Sequence, residues 1–198
     1  ERIDGLLRNL SALTGLMQEN MTRTQAWQFL QLGRRIERGV QTAGLIRAML
    51  AEGGAAEHAT LEALLEVADS IMTYRTRYLA RVQLAPVLDL LVTDEANPRS
   101  VAHQLVHCAG HVDQLPRDAY EINPSPEQEL ATTVVRTIRQ VDSPQLARAY
   151  LSGDVRPLEE VLRGIETTLP KLSDAVSHRY LIHAGPTRRL AEIGTAGG

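Results

Sequence analysis

Cysteine is almost absent. Cys108 is the single one in 198 residues, so no internal disulfide can form and nothing in the chain asks for an oxidising compartment. Aromatic residues make up only 4%, which leaves Leu, Val, Ile and Ala to fill any core. Neither sign of charge dominates: 21 basic against 24 acidic residues give a net charge of −3, which argues against a polyelectrolyte binder and so against nucleic acid as a partner. No run of 18 apolar residues occurs and no signal-peptide pattern opens the chain, so no membrane partner is expected and the cytoplasm is the default location. A P-loop, a dinucleotide fingerprint, a cysteine cluster and a nucleophilic serine in a recognisable turn are missing too.

What is present is regular helical periodicity without a convincing alternating strand. With 43% hydrophobic and 23% charged residues, the chain can fill a core and is not a disordered polymer. We expect an all-α bundle of about seven helices. Ile3, Leu6, Leu7, Leu10, Leu13 and Leu16 mark a first helix. Thr22 with Gln25 reads as a capping box opening a second, which ends before Gly53-Gly54. A third helix is expected from a cap at Thr60 through to Tyr78. Pro86 opens a short apolar one, and Asn97-Pro98 reads as the cap and first turn of the next. Ser125 with Gln128 and Ser143-Pro144 open two more. The last helix starts near Pro157 and should kink at Pro170.

The segment from Thr24 to Leu50 holds the strongest functional signal. At about 100° per residue, Phe29, Leu32, Ile36, Val40, Ala43 and Leu50 share a core face. Gln28, Gln31, Arg35 and Thr42 form a polar strip that water alone would explain. The third strip mixes Trp27, Leu30, Gly44, Leu45 and Ala48 with Arg34, Glu37 and Gln41. A partly buried charge there is costly unless paired, and Arg34 before Glu37 at three residues is the poorer order for an intrahelical pair. Gly33, Gly39 and Gly44 weaken a helix and suggest a close neighbour. A structural polar network and a ligand or catalytic site both fit these residues.

Other candidates lie further on. Tyr74, Arg75, Arg77, Tyr78 and Arg81 crowd a helix end, where arginines suit the macrodipole but could also line an anion site or an interface. His103, His107 and His111 repeat at four-residue spacing, which allows two imidazoles to share a metal. No third ligand of the right type follows, so the stripe reads as a solvated rim and no metal site is expected. Arg179 and His183 lie one turn apart near the end.

Five stretches carry a family resemblance: MTRTQAWQFL, LGRRIERGVQTAGLI, DSIMTYRTRY, VLDLLVTDEANPRSVAHQL and LPKLSDAVSHRYLIHAG. Together they resemble the bacterial alpha-E family, an all-helical domain named for a Glu-Arg motif, here Glu37-Arg38. The resemblance runs from about Leu13 to Ala184. It implies a helical domain, here taken over residues 1–184, and the polar, glycine-rich composition after it reads as a flexible tail at 185–198. It also implies a longer parent chain carrying an earlier helical segment with a second Glu-Arg motif, an expectation that the start at Glu1 without methionine shares. The implied partner is a circularly permuted ATP-grasp amide ligase, fused or separate, which modifies peptides or makes a small peptide-like metabolite. On that reading this domain has no cofactor of its own, and ATP and magnesium belong to the ligase. Arg34, Arg38, Gln41, Tyr74, Arg75, Arg77, Tyr78, Asn97, Arg99, Arg179, Tyr180 and His183 would form a polar pocket or docking face for a peptide or an acidic small molecule. Glu37 is the candidate general acid or base if the domain is itself an enzyme, and a purely structural assembly domain is the further alternative.

Overall fold

A computed structural model describes residues 2–51, 57–79, 81–117 and 122–181. The glycine pair 53–54, His183 and the tail 185–198 lie outside these. Among the described residues there are nine α-helices and no strand: α1 Arg2–Asn20, α2 Gln25–Met49, α3 His58–Val67, α4 Ile71–Tyr78, α5 Leu84–Leu88, α6 Val101–Asp113, α7 Pro126–Arg139, α8 Ser143–Leu151 and α9 Arg156–Tyr180, with a π-helical turn Asp89–Thr93 after α5. None of these helices is long and apolar enough to cross a membrane.

Four helices close a ring. α2 packs on α6 and on α9, and α7 completes the circuit by touching both α6 and α9. Leu32, Ile36, Ala43 and Ile46 of α2 meet Leu105 and Cys108 of α6, Val134 and Ile138 of α7, and Leu162, Ile165, Leu169 and Leu172 of α9 in one core. α5, the π turn and α8 pack together beside this ring, and α3 reaches both α2 and α5. The apolar run after Pro86 is buried throughout, with Val87, Leu88, Leu90, Leu91 and Val92 at 0% exposure, because it is enclosed on several sides rather than on one.

Several helix boundaries differ from the sequence reading, each for a local reason. α2 begins at Gln25 with Thr24 in the cap position, two residues after the expected cap Thr22. The helix expected from Thr60 to Tyr78 is two helices, because Asp69 takes a left-handed conformation at φ 50° and the chain turns there. α6 is capped by Ser100, whose Oγ accepts from His103 N at 3.0 Å. Asn97, expected as that cap, is instead buried and donates its amide to the Leu90 carbonyl at 2.9 Å, tying the π turn to the start of α6. The capping box at Ser125 and Gln128 is formed as expected. α9 runs continuously past Pro170.

α1 stands apart. It is amphipathic, yet none of its residues is buried. Ile3, Leu6, Leu7, Leu10, Leu13 and Leu16 are between 51% and 72% exposed. A hydrogen bond from Arg34 Nη2 to Thr14 Oγ1 at 3.0 Å ties it to the bundle.

Candidate functional site

The three strips of α2 face three different environments. The core strip behaves as its periodicity requires, with Leu32, Ile36, Ala43 and Leu50 buried while Phe29 and Val40 are partly so. The strip assigned to water is only partly a solvent face, with Thr42 lining an open cleft. Gln28 and Arg35 look onto the polar side of α6: Gln28 Nε2 donates to Gln114 Oε1 at 2.6 Å, its Oε1 lies 2.6 Å from His111 Nδ1, and Arg35 Nη1 donates to Gln104 Oε1 at 3.2 Å. Gln104 is fully buried and passes the chain of bonds on to the Pro98 carbonyl at 2.6 Å. Gln31 is 5% exposed, and its amide nitrogen has no hydrogen-bond partner among the described residues. A polar seam between two bundle helices was thus legible as polar but not as interior.

The third strip is the reverse case. Glu37 and Gln41 are exposed, Arg34 is half-buried, and no hydrogen bond or ion pair joins Glu37 to Arg34. The expectation that Arg34, Glu37 and Gln41 are partly buried and paired is therefore corrected for Glu37 and Gln41: α1 leaves this face uncovered. Phe29, Leu30, Gly33, Arg34, Glu37 and Arg38 border an open groove there. A methyl group added at Gly33 would meet nothing within 4 Å. Gly39 and Gly44 do have close neighbours, as expected. A Cβ at Gly39 would lie 2.7 Å from Leu169 Cδ1, and one at Gly44 3.0 Å from Glu166 Oε1. The Gly44 gap lets the Glu166 carboxylate reach Arg47 Nε at 2.7 Å.

Round the edge of α2, Arg38 is half-buried and makes no hydrogen bond or ion pair among the described residues. Burial lowers its pKa first, and the charges of Arg99, Arg35 and Arg34 lower it further. Arg38 and Arg99 line one cleft with Gln41 and Thr42. Arg99 is exposed and pairs with Asp69.

The tyrosine-arginine run does not converge on a pocket. Tyr74 is fully buried, and its hydroxyl accepts from Gln83 N at 3.1 Å while donating to the Arg81 carbonyl at 3.2 Å. It pins the chain between α4 and α5. Tyr78 donates to Asp89 Oδ2 at 2.6 Å. Burial and then that carboxylate push the Tyr78 hydroxyl up to about 12. Arg77 pairs with Asp94, and Arg75 lies 3.7 Å from Glu62 at the surface. Each of these groups has its own partner, so they act as ties between elements. The anion-site expectation for this run is corrected.

At the end of α9, Arg179 and Tyr180 converge on Glu127. That carboxylate sits in the first turn of α7 and is 2% exposed. Arg179 Nε lies 3.3 Å from Glu127 Oε1, and the Tyr180 hydroxyl reaches the same oxygen at 3.3 Å and the Pro116 carbonyl at 3.0 Å. The Tyr180 ring also stands 5.5 Å from Phe29 of α2. Glu127 itself carried no signal in the sequence beyond a favourable position in a helix first turn.

A family model described as a predicted alpha-helical domain with a conserved ER motif matches residues 1–181. The chain belongs to the Alpha-E family. It is 28% identical over 186 residues to the uncharacterized protein Rv2567 of Mycobacterium tuberculosis and, to the same degree, to the uncharacterized protein Mb2597 of Mycobacterium bovis. The match covers 93% of this chain but 21% of each relative, so the chain spans about a fifth of the length of the curated relatives it matches. No solved structure matches.

Within this Alpha-E domain the histidine stripe and the cysteine are structural in their surroundings. Cys108 is buried, and burial pushes its thiol up to about 12, far from the thiolate that nucleophilic work needs. Among the described residues no group of three or more His, Cys, Asp and Glu could hold a metal ion. The stripe expected to be a solvated rim is only partly that. His107 is exposed and packs against His103 with ring centres 4.2 Å apart and planes tilted by 45°, while His111 is partly buried in the α2–α6 seam. Burial first, then Arg35, then His107, hold the His111 pKa below the usual imidazole value. A folded pKa below the unfolded one means that the unfolded chain binds the proton more readily. The stabilisation is therefore complete above the unfolded value near 6.5 and is lost as pH falls through the folded one. The urea midpoint is expected to drop between pH 7.5 and pH 5, and His111→Gln to flatten that drop. A wild-type midpoint that stays level across the interval would remove the seam from the account.

Proposed function

We propose that this Alpha-E domain is the helical partner of an ATP-grasp amide ligase, fused or separate, that modifies peptides or makes a peptide-like metabolite. It docks on the ligase through the apolar stripe of α1 and the open Glu37 face of α2. The observation that carries this reading is α1 itself. Five of its aliphatic side chains, Ile3 to Leu13, fall within about 120° of helix circumference, the width of a core-facing stripe. Leu6 and Leu10 stand more than half exposed. A helix in a protein owes most of its stability to packing of its amphipathic face, which α1 lacks, and Gly5 and Gly15 weaken it further. Burial of such side chains on a partner would contribute on the order of 1 kcal/mol each. The relatives leave about four-fifths of their length outside the match, enough chain to supply a covering surface.

In this reading the ligase binds ATP and magnesium and performs the amide-forming chemistry. The Alpha-E domain supplies a rigid face on which Glu37 and Arg34 pair with charged groups of the partner at the rim of an apolar contact.

The test is ADP release by the ligase with its candidate peptide or amino-acid substrates, with and without this domain. The domain is expected to change rate or product. Leu6→Glu/Leu10→Glu/Leu13→Glu should weaken association more than tenfold and abolish the effect, with unchanged urea unfolding of the bundle, because α1 buries nothing within it. Glu37→Gln should reduce the effect and leave the fold intact. A triple variant that still associates and still alters ADP release would sink the docking face, and so would sedimentation showing that α1 simply pairs two copies of this chain.

A further inference from the structure

A second exposed feature of α2 shares Arg38 and Gln41 with the edge of the Glu37 groove but does not depend on the docking reading. Between α2 and the turn joining α3 to α4 lies a cleft of about 360 Å³ lined by Arg38, Gln41, Thr42, Leu45, Ala68 and Arg99. Two guanidinium groups look into one space whose other polar groups are an amide and a hydroxyl. Leu45 and Ala68 are partly buried and give it an apolar floor.

The charge arrangement in the cleft is unbalanced. Among the described residues Arg38, half-buried, has no hydrogen-bond acceptor or acid of its own. Three further arginines, Arg99, Arg35 and Arg34, add to the positive potential around it. Arg35 is held by Gln104 and Arg34 by Thr14, both neutral acceptors. Asp69, outside the cleft lining, takes one nitrogen of Arg99, Nη2, and among the described residues Nε and Nη1 make no hydrogen bond. A guanidinium presents five N–H donors in a planar fork and cannot give up its charge in a protein. Leaving one half-buried and unpaired costs free energy that a helix surface could avoid with a neutral Gln. An anion in the cleft would remove that cost and receive charge-assisted hydrogen bonds from two forks at once.

We propose that this cleft binds a carboxylate or phosphate group, with Arg38 and Arg99 as its charged ligands and Gln41 and Thr42 as neutral donors. The group would belong to a small acidic molecule or to an acidic residue of a peptide.

The test is calorimetric titration of the whole chain with inorganic phosphate and, separately, with N-acetyl-L-glutamate, each against sodium chloride at matched ionic strength. Saturable binding of at least one anion above the chloride control is expected, and the arm that binds names the chemistry. Arg38→Ala and Arg99→Ala should each weaken it at least tenfold, Arg38→Lys less, because it keeps the charge and loses the fork. Arg156→Ala, at an exposed arginine paired with Asp154 on α9, should leave it unchanged. Without ligand, Arg38→Ala should melt no lower than wild type, since it removes an unpaired charge. The proposal is overturned if neither anion binds above chloride, if Arg38→Ala binds as well as wild type, or if Arg38→Ala melts several degrees lower without ligand and so exposes a structural role. None of these outcomes bears on the ligase test, which reads different side chains.

Discussion

Arg179→Ala is expected to lower the unfolding free energy by about 3 kcal/mol, the penalty of leaving a buried charge without its partner. Glu127 is 2% exposed, so its carboxylate cannot recover the lost interaction from water. The first turn of α7 offers a favourable dipole, and the Tyr180 hydroxyl would remain at 3.3 Å, but one neutral donor does not replace a guanidinium. The same substitution loosens the end of α9 from α7, one of the four contacts that close the bundle ring. Urea unfolding of wild type, Arg179→Ala, Glu127→Gln and the double variant separates the pair from its surroundings. Glu127→Gln should recover much of the loss in the Arg179→Ala background, because an amide costs far less to bury than a carboxylate. If Arg179→Ala stays within about 0.5 kcal/mol of wild type, as an ordinary surface change would, the pair is no determinant of the fold.

Gly39→Val is expected to cost about 2–3 kcal/mol by overpacking, against the gain of up to about 1 kcal/mol that losing a helical glycine would otherwise bring. The new Cβ alone would sit 2.7 Å from Leu169 Cδ1 and 3.6 Å from Gln104 Cβ. Leu169 and Gln104 are both at 0% exposure, so neither can swing into solvent. α2 would have to move away from α6 and α9 together. Gly33→Ala is the control on the same helix: its Cβ meets nothing, and the domain should gain up to about 1 kcal/mol. Thermal unfolding of both variants reads the contrast. A Gly39→Val protein that melts as high as Gly33→Ala would mean that the α2–α6–α9 contact is looser than these distances state.

The two glycines show where sequence reasoning reached and where it stopped. Gly33 and Gly39 look alike in the chain, and the inference that something packs close holds only for Gly39. Periodicity says which residues share a strip of a helix and says nothing of what the strip meets. Gln28 and Arg35 read as a solvent face and form a seam against α6, because α6 and its C-cap present Gln104, His111 and Gln114 in matching positions 69 to 86 residues away. Glu37 reads as a buried charge and is exposed, because the neighbouring α1 does not fold over it. Tyr74 and Tyr78 read as ligand-facing and are consumed by Gln83 and Asp89, partners with no pattern to mark them.

Some things the sequence did determine alone. The helical class follows from a 3.6-residue period repeated along the chain, the start of α7 from the reciprocal bonds that a Ser and a Gln three apart can make, and family membership from five ordered stretches. These are local properties, decided within a turn or two of helix. What only the tertiary structure decided is which polar groups pair with each other and which remain free. Pairing depends on distances between residues far apart in the chain, and a lone Arg38 differs from a satisfied Arg35 only in what the rest of the fold brings within reach.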